Sequence, residues 1–218
     1  MLVGERMTPR PITIRENESV DEGLRLMREK QIRRLPVLNK GGKLVGIVSE
    51  QDLLKVSPSP ATSLSIYEIP YLLSKIKIED VMTEDVITVN VDTPLEDAAR
   101  IMADSRIGGL PVTKDGKLVG IITETDMFKL FLELFGAREC GVRISMLVPE
   151  EKGMLAKITG RIAEMGGNIL ALGTMMGEDP TNREIAVRVA DGSLEDLTAA
   201  MEELGAKIKI KDSRVCEV

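Results

Sequence analysis

The chain has 218 residues, 43% of them hydrophobic, and a formal net charge of −6 at pH 7. That apolar content suffices for ordinary buried cores, whereas the acidic balance and the lack of any long Lys/Arg run exclude an extended nucleic-acid surface, which needs a basic face to neutralise phosphates. No run approaches the ~18 apolar residues of a membrane span and the first residues lack the apolar core of a secretory leader, so the expectation is a cytoplasmic protein with no membrane partner.

Histidine is absent. Ser/His/Asp and Cys/His triads, H-E-x-x-H metal sites and imidazole general bases are therefore excluded together. Cys140 and Cys216 stand far apart without C-x-x-C spacing and read as isolated thiols. The remaining acids, such as Glu150-Glu151 and Glu178-Asp179, lie in loop-like stretches and read as solvated charge. No catalytic residue, catalytic cofactor or metal is expected, and the chain does not read as an enzyme.

In chain order, MTPRPITIRENESVDEGLRLMREKQIRRLPVLNKGGKLVGIVSEQDLL from Met7 recurs from Met82 as MTEDVITVNVDTPLEDAARIMADSRIGGLPVTKDGKLVGIITETDMF. A one-residue insertion at a turn of the first copy pairs Lys43 with Lys117. Such repetition dictates one fold used twice. Each copy opens on a β-branched run, Ile12-Thr13-Ile14 or Ile87-Thr88-Val89, which predicts a strand. Helical spacing follows at Val20, Leu24 and Met27 and at Leu95, Ala98 and Met102. Ser19-x-x-Glu22 and Thr93-Pro94-x-Glu96 read as capping boxes, the second with proline at the first helical position.

Leu35-Pro36-Val37-Leu38 and Leu110-Pro111-Val112 then lead through glycine turns, Lys40-Gly41-Gly42 and Lys114-Asp115-Gly116, into Leu44 to Val48 and Leu118 to Ile122, predicting two hairpins. Proline places the first strand of each at a sheet edge or a strand start. A short helix capped by Ser49 or Thr123 closes each copy. The unit is β-α-β-β-α, and at about fifty residues it is too small for comfortable stability alone, so the copies should pack together through their sheet faces. This divides the chain into a first copy (1–56), a linker (57–77) and a second copy (78–136). The linker carries both tyrosines and a short helix opened by Ser65-x-x-Glu68 and interrupted by Pro70.

Residues 137–218 have a different texture. A strand from Val142 to Val148, a loop from Pro149 to Gly153, and a helix with Leu155, Ile158, Ile162 and Met165 on one stripe end at Gly166-Gly167. Strands at Asn168 to Thr174 and Ile185 to Val189, a helix capped by Ser193-x-x-Asp196 and ending at Gly205, and a last strand from Lys207 to Lys211 complete a β-α-β-β-α-β order, that of the ferredoxin-like fold.

The pattern M-T-x-x-x-[IV]-T-[IV], I-x-x-L-P-V and K-L-V-G-I-[IV]-[ST]-E-x-D resembles the cystathionine-β-synthase (CBS) domain, and the tandem resembles a CBS pair, or Bateman module. VRISMLVPEEKGMLAKITGRIAEMGGNILAL resembles the ACT domain, and the order of the three modules is similar to the AcuB family of acetoin-utilisation proteins. The fold class expected is thus α/β and α+β, tandem CBS repeats followed by a ferredoxin-like ACT domain.

The CBS resemblance implies clefts for an adenosine-containing ligand (AMP, ADP, ATP or S-adenosylmethionine, with a cyclic dinucleotide as an alternative). Asp52 and Asp126 would hold ribose hydroxyls, and Ser49 and Thr123 would lie near phosphates, in keeping with a carboxylate facing a cis-diol and a helix N-terminus facing an anion. Ile12, Ile47, Ile87 and Ile121 could wall a purine, with Thr13, Thr88, Leu35, Pro36, Leu110 and Pro111 beside them. The bare residues admit a plainer reading, in which Ser49-x-x-Asp52 and Thr123-x-x-Asp126 only cap helices. Gly46 and Gly120 weigh against it, because an unneeded glycine weakens a strand unless something approaches its backbone.

The copies diverge where Arg33-Arg34 faces Gly108-Gly109 and Gln31 faces Arg106, so the clefts should differ, with Arg33 or Arg34 binding an anionic phosphate. The ACT resemblance implies an amino-acid site at Glu150, Gly153, Met154, Asn168 and Ile169, although Glu150 and Lys152 depart from the D-x-P-G loop of that family. The alternative for this domain is dimerisation, giving a homodimer. The whole then reads as a non-catalytic regulator of an unidentified enzyme or protein, or as a scaffold with vestigial clefts.

Overall fold

The computed structural model describes residues 1–57, 68–205 and 207–216, so Ser65, Tyr67 and the side chain of Cys216 lie outside the described residues. The chain forms two compact units, Met1–Met127 and Phe128–Val218. In the first, α1 (Val3–Arg6) and β1 (Thr8–Pro9) precede β2 (Ile14–Arg15), α2 (Val20–Lys30), β3 (Arg34–Leu38), β4 (Leu44–Ser49) and α3 (Glu50–Lys55). After α4 (Glu68–Leu73) and a 3-10 turn (Ile78–Asp80) the second copy contributes β5 (Val89–Asn90), α5 (Leu95–Ser105), β6 (Gly109–Lys114), β7 (Lys117–Thr123) and α6 (Glu124–Leu134). The repeat is thus β-α-β-β-α in both copies.

Helix α2 forms because Ser19 Oγ accepts the Glu22 N–H at 3.2 Å and because Val20, Leu24 and Met27 bury one stripe. It ends at Gln31, φ 53°, as α5 ends at Arg106, φ 55°. The start of α5 differs from the expectation. Its N-cap is Pro94, with no side-chain cap, and Thr93 Oγ1 accepts the Asn90 N–H at 3.1 Å instead. Thr93 stands one position too early, since the place of Ser19 is taken by proline. In the linker, Pro70 falls in the first turn of α4, where no intrahelical N–H is needed, and does not interrupt it.

The hairpin strands β3 and β6 are central, in sheets of order β2-β3-β4 and β1-β7-β6-β5, so of the two placements expected from their prolines the edge is not met, and each proline stands third in its strand, near the start. Pro36 is tolerated because β2 pairs in parallel only with Val37 and Leu38, and Pro111 because β5 pairs only with Val112 and Thr113. Each proline therefore lies in the stretch of a central strand that has one neighbour. Leu35, Val37, Val48, Leu110, Val112 and Ile122 are fully buried. The predicted strands at Ile12-Thr13-Ile14 and Ile87-Thr88-Val89 begin only at Ile14 and Val89, leaving Ile12 and Ile87 exposed on the approach.

The copies exchange their opening segments. Val3 and Gly4 donate backbone hydrogen bonds to Thr93 and Val91 of the second copy at 2.9 and 2.8 Å, while Ile78 and Glu79 donate to Glu18 and Glu16 of the first at 2.8 and 2.9 Å. Thr8 pairs with Ile121 in β7, and Thr83 pairs with Ile47 in β4. Val3 and Ile78 are fully buried, Ile78 in the core of the first copy. Besides any packing of sheet faces, the copies are thus linked through strand edges and loops by their opening segments, and a locally periodic sequence carries no sign that its first residues complete a distant sheet.

In the second unit β8 (Gly141–Pro149), α7 (Met154–Glu164), β9 (Asn168–Met176), β10 (Asn182–Ala190), α8 (Leu194–Glu203) and β11 (Lys209–Cys216) form an antiparallel sheet of order β11-β8-β10-β9. The β-α-β-β-α-β order is as expected. Val142, Ile144, Met146 and Val148 alternate inward against Ile158, Ile162, Leu197 and Met201 of the helices. Leu155, placed by the periodicity on the inner stripe of α7, is exposed, and Met154 packs against the core in its stead. Ser193 caps α8 as expected, accepting the Asp196 N–H at 3.0 Å. The last strand starts later and runs further than Lys207 to Lys211, because a bulge between Ile210 and Asp212 lets pairing with β8 continue to Cys216.

Candidate functional site

Both [ST]-x-x-D motifs sit where a hairpin strand turns into a helix. Ser49 N and Oγ donate to Asp52 Oδ2 at 3.0 and 2.6 Å, and Asp52 N donates to Ser49 Oγ at 3.3 Å. Thr123 N and Oγ1 donate to Asp126 Oδ2 at 2.9 and 2.8 Å. Both aspartates thus close back on the hydroxyl residue through Oδ2, and Ser49 in turn caps α3. Lys55 Nζ approaches Asp52 Oδ1 at 3.4 Å. Burial works to raise the Asp52 carboxyl, but the Ser49 hydroxyl and amide and Lys55 outweigh it and hold the group below its ordinary value.

A cleft of about 380 Å³ opens beside the first of these junctions. From the first copy it takes Arg34, Ile47, Ser49, Gln51 and Asp52, and from the second Thr83, Asp85, Val86, Ile87 and the stretch Arg106, Ile107, Gly108, Gly109 and Pro111. Nine of the residues anticipated from sequence meet here. Gln51 and Ile107, next to anticipated residues, were missed, as were Thr83, Asp85 and Val86. The last three arrive with the exchanged segment, whose bridge to Ile47 sets it beside β4, and the recurring M-T of each copy was their only signal. Ile12, Thr13, Arg33, Pro36, Gly46, Gly120, Ile121, Thr123 and Asp126 do not line this cleft; all of them but Thr13, Gly46 and Gly120 correspond, through the repeat, to residues of its walls. Leu35 and Leu110 are fully buried core residues, and Thr88 is exposed outside the cleft.

Gly46 and Gly120 have a structural explanation that removes them as support for a ligand. A Cβ on Gly46 would stand 2.3 Å from Met82 Sδ, and one on Gly120 would stand 2.2 Å from Met7 Sδ. The close approach inferred from sequence is real, but it is made by the methionine of the exchanged segment. The divergence between Arg33-Arg34 and Gly108-Gly109 is explained likewise. Arg34 Nη2 reaches Glu124 Oε1 at 3.4 Å across Gly108, where a Cβ would lie 1.9 Å from that nitrogen. Glycine leaves the guanidinium this position, from which a Cβ would push it aside. Arg33 is exposed, and its carbonyl accepts the Glu50 N–H at 2.9 Å.

In the second unit, Glu150, Gly153 and Met154 line a cleft of about 270 Å³ together with Val148, Leu155 and Arg183. Arg183 Nε donates to Glu150 Oε2. Asn168 and Ile169 are not part of it. Asn168 pairs with Ala190 beside the start of β8, whereas Glu150 follows the end of β8, so one chain holds these residues at opposite ends of its sheet. The single site expected from sequence is not assembled within one chain. Among the described residues there is no group of three or more His, Cys, Asp or Glu side chains that could hold a metal, and no helix long and apolar enough to cross a membrane. Cys140 is exposed and unbridged.

The CBS domain family model matches residues 3–59 and 78–133, more than half of the chain. The uncharacterized protein MJ1426 of Methanocaldococcus jannaschii is 37% identical over 155 residues, covering 61% of this chain and 92% of that protein. Among solved structures, the CBS domain pair of protein MJ0100 in complex with 5′-methylthioadenosine and S-adenosyl-L-methionine has a TM-score of 0.51 at 31% identity, over 64% of this chain and 98% of that one. A candidate acetoin utilization protein (AcuB) from Vibrio cholerae has a TM-score of 0.52 at 31% identity, over 64% of this chain and 96% of that one.

Proposed function

We infer that this chain, which belongs to the CBS domain family, is a non-catalytic regulator that senses an adenosine-containing ligand through its paired repeats. The observation that carries this reading is the cleft at Ser49 and Asp52. Ile47, Val86, Ile87 and Pro111 offer apolar walls for a purine, and Asp52 spends only Oδ2 on its cap, leaving acceptor capacity for a ribose diol. Arg34 and Arg106 supply cations for a ligand's anionic end. The ligands held by the CBS pair of MJ0100 support the adenosine class. By the repeat, Thr123 and Asp126 mark a second, inequivalent cleft with Ile12, Ile121 and Arg33.

On this reading residues 1–56 and 78–136 are the CBS domains, 57–77 the linker, and 137–218 an ACT-type domain that joins two copies or takes a small molecule such as an amino acid. Glu150 of one copy and Asn168 of another could then share a site. Ligand binding shifts a homodimer between arrangements that a cytoplasmic partner reads, through unequal affinity for the two states. The AcuB-like order of modules suggests acetoin metabolism as the setting.

Titration calorimetry with AMP, ATP, S-adenosylmethionine and 5′-methylthioadenosine tests this. At least one should bind, and Asp52→Asn and Asp126→Asn should each weaken binding by about ten-fold, the loss of one charge-assisted hydrogen bond. No binding by any of the four would refute the sensor reading in favour of a scaffold with vestigial clefts.

A further inference from the structure

The residue of this cleft with the most unusual position is Arg34. It opens β3 directly opposite Ser49 in the β3–β4 ladder, while its counterpart Gly109 stands opposite Thr123 in β6–β7. Its guanidinium lines the cleft of the first copy, yet its ion-pair partner is Glu124, the first residue of α6 and the neighbour of Thr123. The Arg34 side chain is 23% exposed and that of Glu124 54%. Glu124 is anchored by its own N–H, which donates to the Gly108 carbonyl at 3.1 Å. The pair lies over Gly108, since a Cβ there would stand 1.9 Å from Arg34 Nη2 and 2.8 Å from Glu124 Oε2. Among the described residues Glu50, the first-copy counterpart of Glu124, has no equivalent ion pair, and Gly109 carries no side chain to reach it.

We propose that Arg34 is a charge-selecting latch, which an anionic group on an adenosine ligand in the Ser49–Asp52 cleft must draw away from Glu124. The inference rests on the sensor reading above and adds the device that grades ligands by charge. The cleft wall carries two cations, Arg34 and Arg106, and two carboxylates, Asp52 and Asp85. Lys55, 3.4 Å from Asp52 Oδ1, offsets part of that carboxylate's charge without exhausting its acceptor capacity. A phosphate therefore gains from Arg34 only what exceeds the Glu124 pair, whereas an uncharged nucleoside leaves that pair intact. Once Arg34 turns to a phosphate, Glu124 is no longer neralised beside Thr123, and an anion at the second junction meets it. Two anionic ligands should consequently bind one chain with unequal affinity, and two neutral ones without this penalty.

The test compares AMP with adenosine by titration calorimetry on the full chain. Glu124→Gln should tighten AMP binding by about three-fold, the scale of a half-exposed ion pair, and leave adenosine unchanged. Arg34→Met should weaken AMP on the order of ten-fold relative to adenosine, Arg106 retaining the rest of the preference. Gly108→Ala, which displaces the guanidinium, should move both ligands apart in the direction set by Arg34→Met. An equal response of AMP and adenosine to Glu124→Gln, or none from either, overturns the latch while leaving the sensor reading intact. Failure of both AMP and adenosine to bind the wild-type chain overturns the latch, and the adenosine cleft falls with it only if ATP, S-adenosylmethionine and 5′-methylthioadenosine also fail to bind. Circular dichroism melts of each variant separate a folding defect from a change in affinity.

Discussion

The two repeats are nearly superposable in their hydrogen bonding and differ in the side chains along their junction. Every backbone link made by Val3, Gly4 and Thr8 is matched by one at Ile78, Glu79 and Thr83. At the start of the hairpins, however, one copy places Arg34 where the other places Gly109. The backbone obeys a two-fold relation because it holds the pair together, and the side chains break it where Arg34 reaches across Gly108 to Glu124 and no arginine stands at the matching Gly109. Duplication supplies the frame, and divergence at a few half-buried or buried positions along the junction makes the two copies unequal.

The comparison is broken or sharpened first at its most buried pair. Leu35→Ala and Leu110→Ala should each cost about 2–5 kcal/mol in urea unfolding, by loss of transfer energy and creation of a cavity. Closely similar values support equivalent cores, and a difference beyond a factor of two would show that one copy carries the other. Next come the glycines under the exchanged methionines. Gly46→Leu and Gly120→Leu should destabilise by about 1–3 kcal/mol through overpacking. Met82→Ala should recover part of the loss in the first and Met7→Ala in the second, whereas the crossed combinations should not.

A smaller effect separates the two long helices. Ser19→Ala should cost about 1 kcal/mol as the loss of an N-cap. Thr93→Ala should cost visibly less in the same thermal melts, because Thr93 bonds Asn90 and caps nothing in α5. The smallest concerns pH. The Asp52 carboxyl is held below its ordinary value, so it contributes stability that is fully present above the unfolded carboxylate pKa and lost as pH falls through the lower folded value. Asp52→Asn should therefore flatten the acid limb of the stability curve below about pH 4, the unperturbed aspartate range, and leave the neutral plateau shape unchanged.

Much of this molecule was readable in advance. Val20, Leu24 and Met27 announce α2, the Asp115-Gly116 turn with φ of 51° and 72° announces its hairpin, and the [ST]-x-x-D junctions stand where the repeat puts them. What stayed hidden was non-local. The residues that fill the space over Gly46 and Gly120 come from the opposite copy, so sequence could show that a close approach was required and not what made it. Thr83, Asp85 and Val86 reach the cleft for the same reason. Glu150 and Asn168 are drawn together by a family pattern, but the strand register carries them to opposite ends of one sheet. Leu155 shows the limit of periodicity alone: Met154, one position earlier, serves the core equally well by helical spacing and is the side chain that turns inward.

The crossed opening segments also decide what may be cut. A cleavage between the copies would leave each fragment carrying the other's missing piece, Val3 with the first and Ile78 with the second. Neither fragment would hold a finished core, and each would be the other's only complement. Mixed together, the two should reassemble into the intact pair by mutual completion, while either one alone should remain unfolded or seek a second copy of itself to trade segments with.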